Sequence, residues 1–118
     1  MAGTIVASTL SDGTNSTSTT NCITGSAKAW IAFNSNTQTT YGSFNVTSIT
    51  YLSTTRYQIN FTTAMANANY AVALAASDAP TLGTFFVVDN SQLPTTTALT
   101  LYSNANNRLY YSAAVFSS

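Results

Sequence analysis

The clearest pattern of apolar and polar positions lies in Arg56–Thr62. Tyr57, Ile59 and Phe61 fall on one side of an extended chain, and the polar residues between them fall on the other side. A period of two is typical of a half-buried β-strand. Similar alternating or short apolar runs predict six further strands, at Lys28–Phe33, Phe44–Tyr51, Asn69–Ala75, Thr84–Asp89, Thr96–Tyr102 and Leu109–Phe116.

Irregular stretches refine this prediction. In Phe44–Tyr51 the apolar positions change phase after Val46, which predicts a β-bulge or a local twist. The polar linker 52–55 joins this strand to Arg56–Thr62 as a hairpin. The alanine-rich stretch 64–76 is the only helix candidate, but its β-branched and aromatic residues favour a strand. We therefore predict an all-β protein with an antiparallel β-sandwich or jelly-roll-like fold.

The first 25 residues differ in composition from the rest of the chain. Residues 11–21 are a polar, low-complexity run in which Asp12-Gly13 is a turn signal. Such a segment buries too little apolar surface to offset the entropy lost on ordering. We predict that residues 1–25 form an extended N-terminal arm that becomes ordered against a partner, and that residues 26–118 form the β-sandwich domain. The N-terminus has no basic stretch and no long apolar stretch, so no signal peptide is expected.

Charged residues are nearly absent, since the chain has three cationic and three acidic side chains and lacks both His and Glu. Most general acid–base catalysis and most metal sites depend on these missing residue types. We therefore predict a protein that is not an enzyme, with no catalytic residue, cofactor or bound metal. Three cations make too small a positive surface for nucleic acid. The longest apolar run, residues 71–76, is too short for insertion across a membrane.

Neutral polar residues replace the missing charge. Ser, Thr and Asn together make up 49 of the 118 residues, and the formal net charge is zero. A neutral surface tends to self-associate because charge repulsion between copies is weak. The composition therefore indicates an assembled protein.

Aromatic side chains are the remaining resource for binding. Trp30, Arg108, Tyr110 and Tyr111 are the candidate contacts with a ligand or with another subunit. Aromatic rings can stack on sugar rings, while Asn and Thr side chains supply hydrogen bonds. The alternative interpretation is that these rings pack inside the core, as aromatic residues of strands commonly do.

Three phrases of the sequence occur in an order that is similar to a known group of proteins. They are GSAKAWIAFN at Gly25–Asn34, YGSFNVTSIT at Tyr41–Thr50 and RYQINFTTAMANANYAV at Arg56–Val72. Over roughly residues 22–75, the chain resembles small bacteriophage virion structural proteins of the tail-fibre-like and capsid-decoration kind. The resemblance implies a β-rich homotrimer that is made in the host cytoplasm and becomes part of the virion. It transfers no catalytic residue.

Two positions on the virion remain open at this point. The favoured hypothesis is a capsid decoration (cement) protein, bound to the major capsid protein, because 118 residues hardly accommodate an attachment region, a shaft and a tip. The alternative is a tail-fibre tip or receptor-binding module that is attached to a tail protein and recognises host surface glycans.

Overall fold

The computed structural model describes residues 3–77, 83–104 and 109–117. Within them the chain forms ten strands and one short helix, and every strand pair is antiparallel. The elements are β1 Thr9–Ser11, β2 Ser16–Ser18, α1 Thr19–Gly25, β3 Ala29–Asn34, β4 Thr39–Phe44, β5 Val46–Ser53, β6 Arg56–Phe61, β7 Ala71–Ala76, β8 Phe86–Val88, β9 Ala98–Ser103 and β10 Tyr111–Phe116. The prediction of an all-β class is confirmed.

Strands β3 to β10 form two four-stranded sheets that share one core. Sheet I has the order β4-β3-β10-β7, and sheet II has the order β5-β6-β9-β8. Both sheets turn alternate side chains toward this core, so the period of two in the sequence decides which residues are buried. The buried apolar residues are Ala29, Ile31, Phe33, Tyr57, Ile59, Phe61, Met65, Tyr70, Leu99, Leu101, Tyr111, Ala113 and Val115.

Aromatic rings fill the centre of the core. The Phe33 ring stacks on the Tyr111 ring at a centroid distance of 5.4 Å, and Tyr57 meets Phe33 edge-on at 5.6 Å. Pairs of this kind add about 0.5–1.5 kcal/mol each to the stabilisation from buried area. The Tyr111 and Ser103 hydroxyls lie 2.9 Å apart, so these two buried polar groups satisfy one another.

The predicted strand Phe44–Tyr51 is divided between the two sheets. Its first residue ends β4 in sheet I, and Val46 begins β5 in sheet II. Asn45 makes the transition alone, with φ of 55° in the left-handed region, which asparagine tolerates better than most residues. The predicted bulge is confirmed, because the pairing of β5 with β6 shifts register between Val46 and Ser48.

Strand β4 was not predicted from the sequence, whereas the stretch proposed as a possible helix is largely loop and strand. The segment Thr39–Phe44 alternates poorly, because Thr, Tyr, Gly and Ser give no clear apolar face. Residues 71–76 of the alanine-rich stretch form β7, as the β-branched and aromatic residues of this stretch favoured.

The N-terminal segment is not fully extended, and this corrects the sequence prediction. It contains the hairpin β1-β2 and then α1. The Ser18 hydroxyl accepts a hydrogen bond from the Asn21 amide at 3.2 Å and so caps the helix. In the hairpin turn, Asp12 Oδ1 accepts bonds from the amides of Thr14 and Asn15 at 2.9 and 2.7 Å. Local capping by short polar side chains therefore gives this polar run regular structure.

This N-terminal segment makes the molecule longer than a compact chain of its size. The Cα radius of gyration is 16.7 Å and the longest axis is 47 Å. A compact chain of 118 residues is expected to have a radius of about 13.5 Å. All residues from 3 to 17 are exposed. The segment therefore contributes little to the shared core.

The direction of the strands distinguishes two ends of the two-sheet body. The proximal end is where α1 leads into β3 and where Asn45 connects the sheets. The distal end carries the β3–β4 turn at residues 35–38 and the β5–β6 turn at residues 54–55. At that end the Ser103 amide donates to the Thr55 carbonyl at 2.8 Å, so β9 also reaches it.

Candidate functional site

The outer face of sheet I is apolar although it faces away from the core. Alternation places Ala29 and Ile31 in the core, and it places Trp30 between them on the outside with 43% of its surface exposed. The pairing registers align two rows of side chains across the four strands. One row is Phe44, Trp30, Ala114 and Ala73, and the next is Gly42, Ala32, Ser112 and Ala75.

A glycine permits the position of the Trp30 ring. A Cβ atom added at Gly42 would lie 3.3 Å from two carbons of the indole ring, which is closer than ordinary van der Waals contact. The ring therefore lies over the β4 backbone, where any larger residue would force it to shift. This close approach is the structural reason for a glycine inside a strand.

Two tyrosines form the other side of a shallow groove in this face. The Tyr41 and Tyr110 rings stack with centroids 6.1 Å apart and planes inclined by 15°. The Tyr41 hydroxyl donates to the Leu109 carbonyl at 2.9 Å, which fixes the pair at the rim. The groove has a volume of about 310 Å³ and extends between Trp30 and Tyr110 over a floor that consists mainly of alanine.

The structure separates the residues that the sequence analysis grouped together. Trp30 and Tyr110 lie on the same groove, with Tyr110 44% exposed. Tyr111 is wholly buried in the core, because adjacent residues of an extended chain point to opposite sides. Its predicted ligand or subunit contact is therefore corrected to a packing role. Arg108 lies outside the described residues.

Two exposed aromatic residues of this face were missed. Tyr41 and Phe44 are 56% and 54% exposed, and both belong to β4. The signal that could have indicated them is the spacing of the Tyr-Gly-Ser-Phe run, which becomes informative only when β4 is recognised as the neighbour of β3.

The outer face of sheet II has a different chemistry. Asn60 Nδ2 donates to the hydroxyls of Ser48 and Thr50 at 3.0 and 2.9 Å, and Gln58 Nε2 donates to Asn60 Oδ1 at 2.8 Å. These neutral polar side chains form a ladder across neighbouring strands, and cross-strand pairs of this kind stabilise a sheet exposed to water. The outer face of sheet II is therefore polar over β5 and β6, although Val87 of β8 and Tyr102 of β9 are also partly exposed there.

The one ion pair among the described residues lies beside sheet II. Arg56 Nε is 2.5 Å from Asp89 Oδ2, and the Ser91 hydroxyl and amide both donate to Asp89 Oδ1. The Ser91 hydrogen bonds, followed by the one from Arg56, lower the pKa of Asp89 from its ordinary value. The groove on sheet I has no charged residue in its lining.

The described part of the chain was compared with the requirements of a metal site and of a membrane-spanning helix. There, no group of three or more Cys, Asp, Glu or His side chains lies close enough to hold a metal ion. No helix in the same residues is long and apolar enough to span a membrane.

Comparison of the chain with protein-family models, curated proteins and solved structures gives no match. The similarity to phage virion proteins therefore stays a prediction.

Proposed function

We propose that this protein is a non-enzymatic bacteriophage virion structural protein, a homotrimeric decoration (cement) protein that stabilises the capsid. Its two sheets would form a β-sandwich, with the N-terminal segment acting as an attachment arm. The observation that carries the proposal is the uncharged apolar outer face of sheet I. The largest contiguous apolar patch on a soluble monomer is commonly about 300–600 Å² and is often a functional surface.

The outer face of sheet I is large enough to form part of a subunit contact, but it is too small to hold a stable assembly by itself. Four strands about 4.8 Å apart, each of six residues rising about 3.3 Å, cover roughly 400 Å². At about 25 cal/mol per Å² of apolar surface, burial of the whole face contributes at most about 10 kcal/mol per subunit, because positions such as Ser112 are polar. Association costs roughly 4–15 kcal/mol, so the sheet face alone gives marginal stability. A stable assembly requires additional buried surface.

The N-terminal segment can supply that surface. Ile5 and Val6 are 92% and 94% exposed, while Leu10 and Ile23 are 51% and 64% exposed. Burial of these four side chains against neighbouring subunits or the shell would add about 1.5–3 kcal/mol each. Contacts of this size, repeated around a shell, stabilise it by avidity, which is the mechanism proposed for the decoration role.

The oligomeric state tests the first part of the proposal. Light scattering coupled to size-exclusion chromatography is expected to give three times the chain mass of 12.4 kDa. Ala114→Glu places a charge on the central strand β10, in the middle of the apolar face, and is expected to give monomers with unchanged circular dichroism. Val87→Glu introduces the same charge at an exposed strand position of sheet II and should leave the trimer intact. A monomeric wild-type chain would refute the trimer.

Copy number tests the position on the virion. Quantitative mass spectrometry of purified particles is expected to find hundreds of copies for a capsid decoration protein. A dozen copies or fewer would contradict the decoration role and favour a tail appendage.

The alternative role, a tail-fibre tip or receptor-binding module, is favoured by one observation. Trp30 and Tyr110 present partly exposed rings on either side of the same groove, an arrangement on which a sugar could stack. Binding of host surface glycans that is lost in Tyr110→Ala, with circular dichroism unchanged, would support this role. Assembly and glycan binding would use the same face of sheet I and therefore exclude one another. Measuring the oligomer mass and glycan binding on one sample distinguishes the two roles.

A further inference from the structure

A second cavity lies at the distal end, opposite the N-terminal segment. It is formed between the β3–β4 turn and the β5–β6 turn and has a volume of about 590 Å³. Sites for small ligands commonly have volumes of 300–1,000 Å³. If the proximal end is attached to a larger particle, this distal pocket points away from it.

The lining of the distal pocket is polar and uncharged. It combines the neutral side chains of Ser35, Asn36, Gln38 and Thr54 with the rings of Tyr51 and Tyr57. An anionic ligand would find no cation in this lining, and a cationic ligand would find no carboxylate. Complementarity therefore favours a neutral ligand that has many hydrogen-bonding groups.

Two amides at the pocket are available to such a ligand. The Asn36 and Gln38 side chains are exposed and make no hydrogen bond with another described residue. Each amide offers one acceptor oxygen and two donor hydrogens. The backbone of Gln38 has φ of 57°, an uncommon conformation for glutamine. Such local strain is frequently found where a turn positions groups for binding.

Of the two tyrosines that line the pocket, Tyr51 has a hydroxyl group without a hydrogen-bond partner among the described residues. Tyr51 and Tyr57 pack edge to face at 5.7 Å, and the Tyr57 hydroxyl donates to the Thr54 carbonyl at 3.0 Å. The Tyr51 hydroxyl is buried and has no partner among the described residues. An unsatisfied buried group of this kind costs about 1–3 kcal/mol. Because this oxygen is shielded from solvent, a ligand hydroxyl can reach it and remove part of that cost only if the Tyr51 ring shifts.

We infer that the distal pocket binds a neutral pyranose sugar, either free or as the terminal unit of a glycan. A pyranose ring matches the lining, because its hydroxyls serve as donors and acceptors for the two amides and its C–H face can pack on the partly exposed ring of Tyr51. The inference goes beyond the proposed function, since a decoration protein needs no ligand, and it does not depend on the sheet I face.

The test uses the full chain and a panel of glucose, galactose, mannose, N-acetylglucosamine and their methyl glycosides. Saturation-transfer NMR and calorimetry are expected to detect at least one sugar. The double variant Asn36→Ala/Gln38→Ala loses two hydrogen bonds to the ligand and is expected to bind that sugar with about tenfold lower affinity. Asn90→Ala removes an equally exposed amide in the turn after β8 and should leave the affinity unchanged.

Each outcome decides the inference. Methyl glycosides that bind as well as free sugars identify a glycan terminus, and weaker binding identifies the free sugar. Failure of the whole panel overturns the inference, and so does binding that Asn36→Ala/Gln38→Ala leaves unchanged. Binding that is lost in Tyr110→Ala but retained in the double variant assigns the sugar to the sheet I groove instead. Trimer mass measured on the same samples separates any of these results from failure of the proposed function.

Discussion

Replacement of Asn45, a half-buried polar residue, is expected to lower the free energy of unfolding strongly. Asn45 is the only residue between β4 and β5, so it directs the chain from sheet I to sheet II. Its Nδ2 donates to the carbonyls of Lys28 and Thr63 at 3.0 and 3.1 Å, and its Oδ1 accepts from the Thr63 amide at 2.7 Å. One side chain thus ties the start of β3 to the chain that follows β6.

The magnitude follows from these contacts and from the backbone conformation. Three hydrogen bonds at about 1 kcal/mol each give a loss of about 3 kcal/mol. The left-handed conformation costs a residue with a Cβ roughly 1 kcal/mol more when no asparagine side chain compensates. We therefore expect Asn45→Ala to lose about 4 kcal/mol of unfolding free energy. Asn45→Gly adopts this φ freely and should lose only the contribution of about 3 kcal/mol from the hydrogen bonds.

Urea denaturation, followed by Trp30 fluorescence and circular dichroism, measures these differences. All variants must be compared at one protein concentration, because the stability of an oligomer depends on concentration. The exposed Asn90 provides the control, and Asn90→Ala should change the free energy by less than about 0.5 kcal/mol. Asn45→Ala within about 1 kcal/mol of the wild type would refute the assigned role of Asn45 as the connection between the sheets.

Four further predictions concern pH, salt and a single hydroxyl. Because hydrogen bonds lower the folded-state pKa of Asp89, its contribution is present above the unfolded pKa of about 3.9 and is lost at lower pH. Urea titrations at about pH 3 and pH 6 should therefore show a smaller acid loss in Asp89→Asn than in the wild type, and equal losses would contradict this. Burial raises the pKa of Tyr57 and of Tyr70 from 10.0 to about 12, so unfolding free energy should fall as the pH rises from 10 to 12. Tyr70→Phe should reduce that slope in alkaline urea titrations, and an unchanged slope would count against the burial argument. The proposed trimer should persist in about 1 M salt, where charge interactions are screened. Dissociation detected by light scattering would indicate that the few charges hold it together. Tyr51→Phe removes an unsatisfied hydroxyl and should raise the unfolding free energy by about 1 kcal/mol in urea titrations. A lower value would show that this hydroxyl has a stabilising partner.

The candidate surfaces were less predictable than the strands. Trp30 and Tyr110 were predicted only as candidate contacts with a ligand or another subunit, and the buried Tyr111 was predicted with them. Nothing in the local pattern indicates which side of β10 faces the second sheet. The polar distal pocket was not predicted, because its residues come from two turns that are joined only by the folded arrangement of the sheets.

The sequence alone determined the strand class, because alternation of side chains is a local property of an extended backbone. It predicted the bulge in β5 and the strand at β7, and it shows directly that charged residues are few. The tertiary structure decided how the strands are divided between the sheets, as at Asn45, and which apolar positions remain outside the core. Both depend on contacts between residues that are distant in the chain. Charged residues are few along the whole chain, but only the packing of sheet II against one side of sheet I leaves Trp30 and the alanine rows exposed on the other.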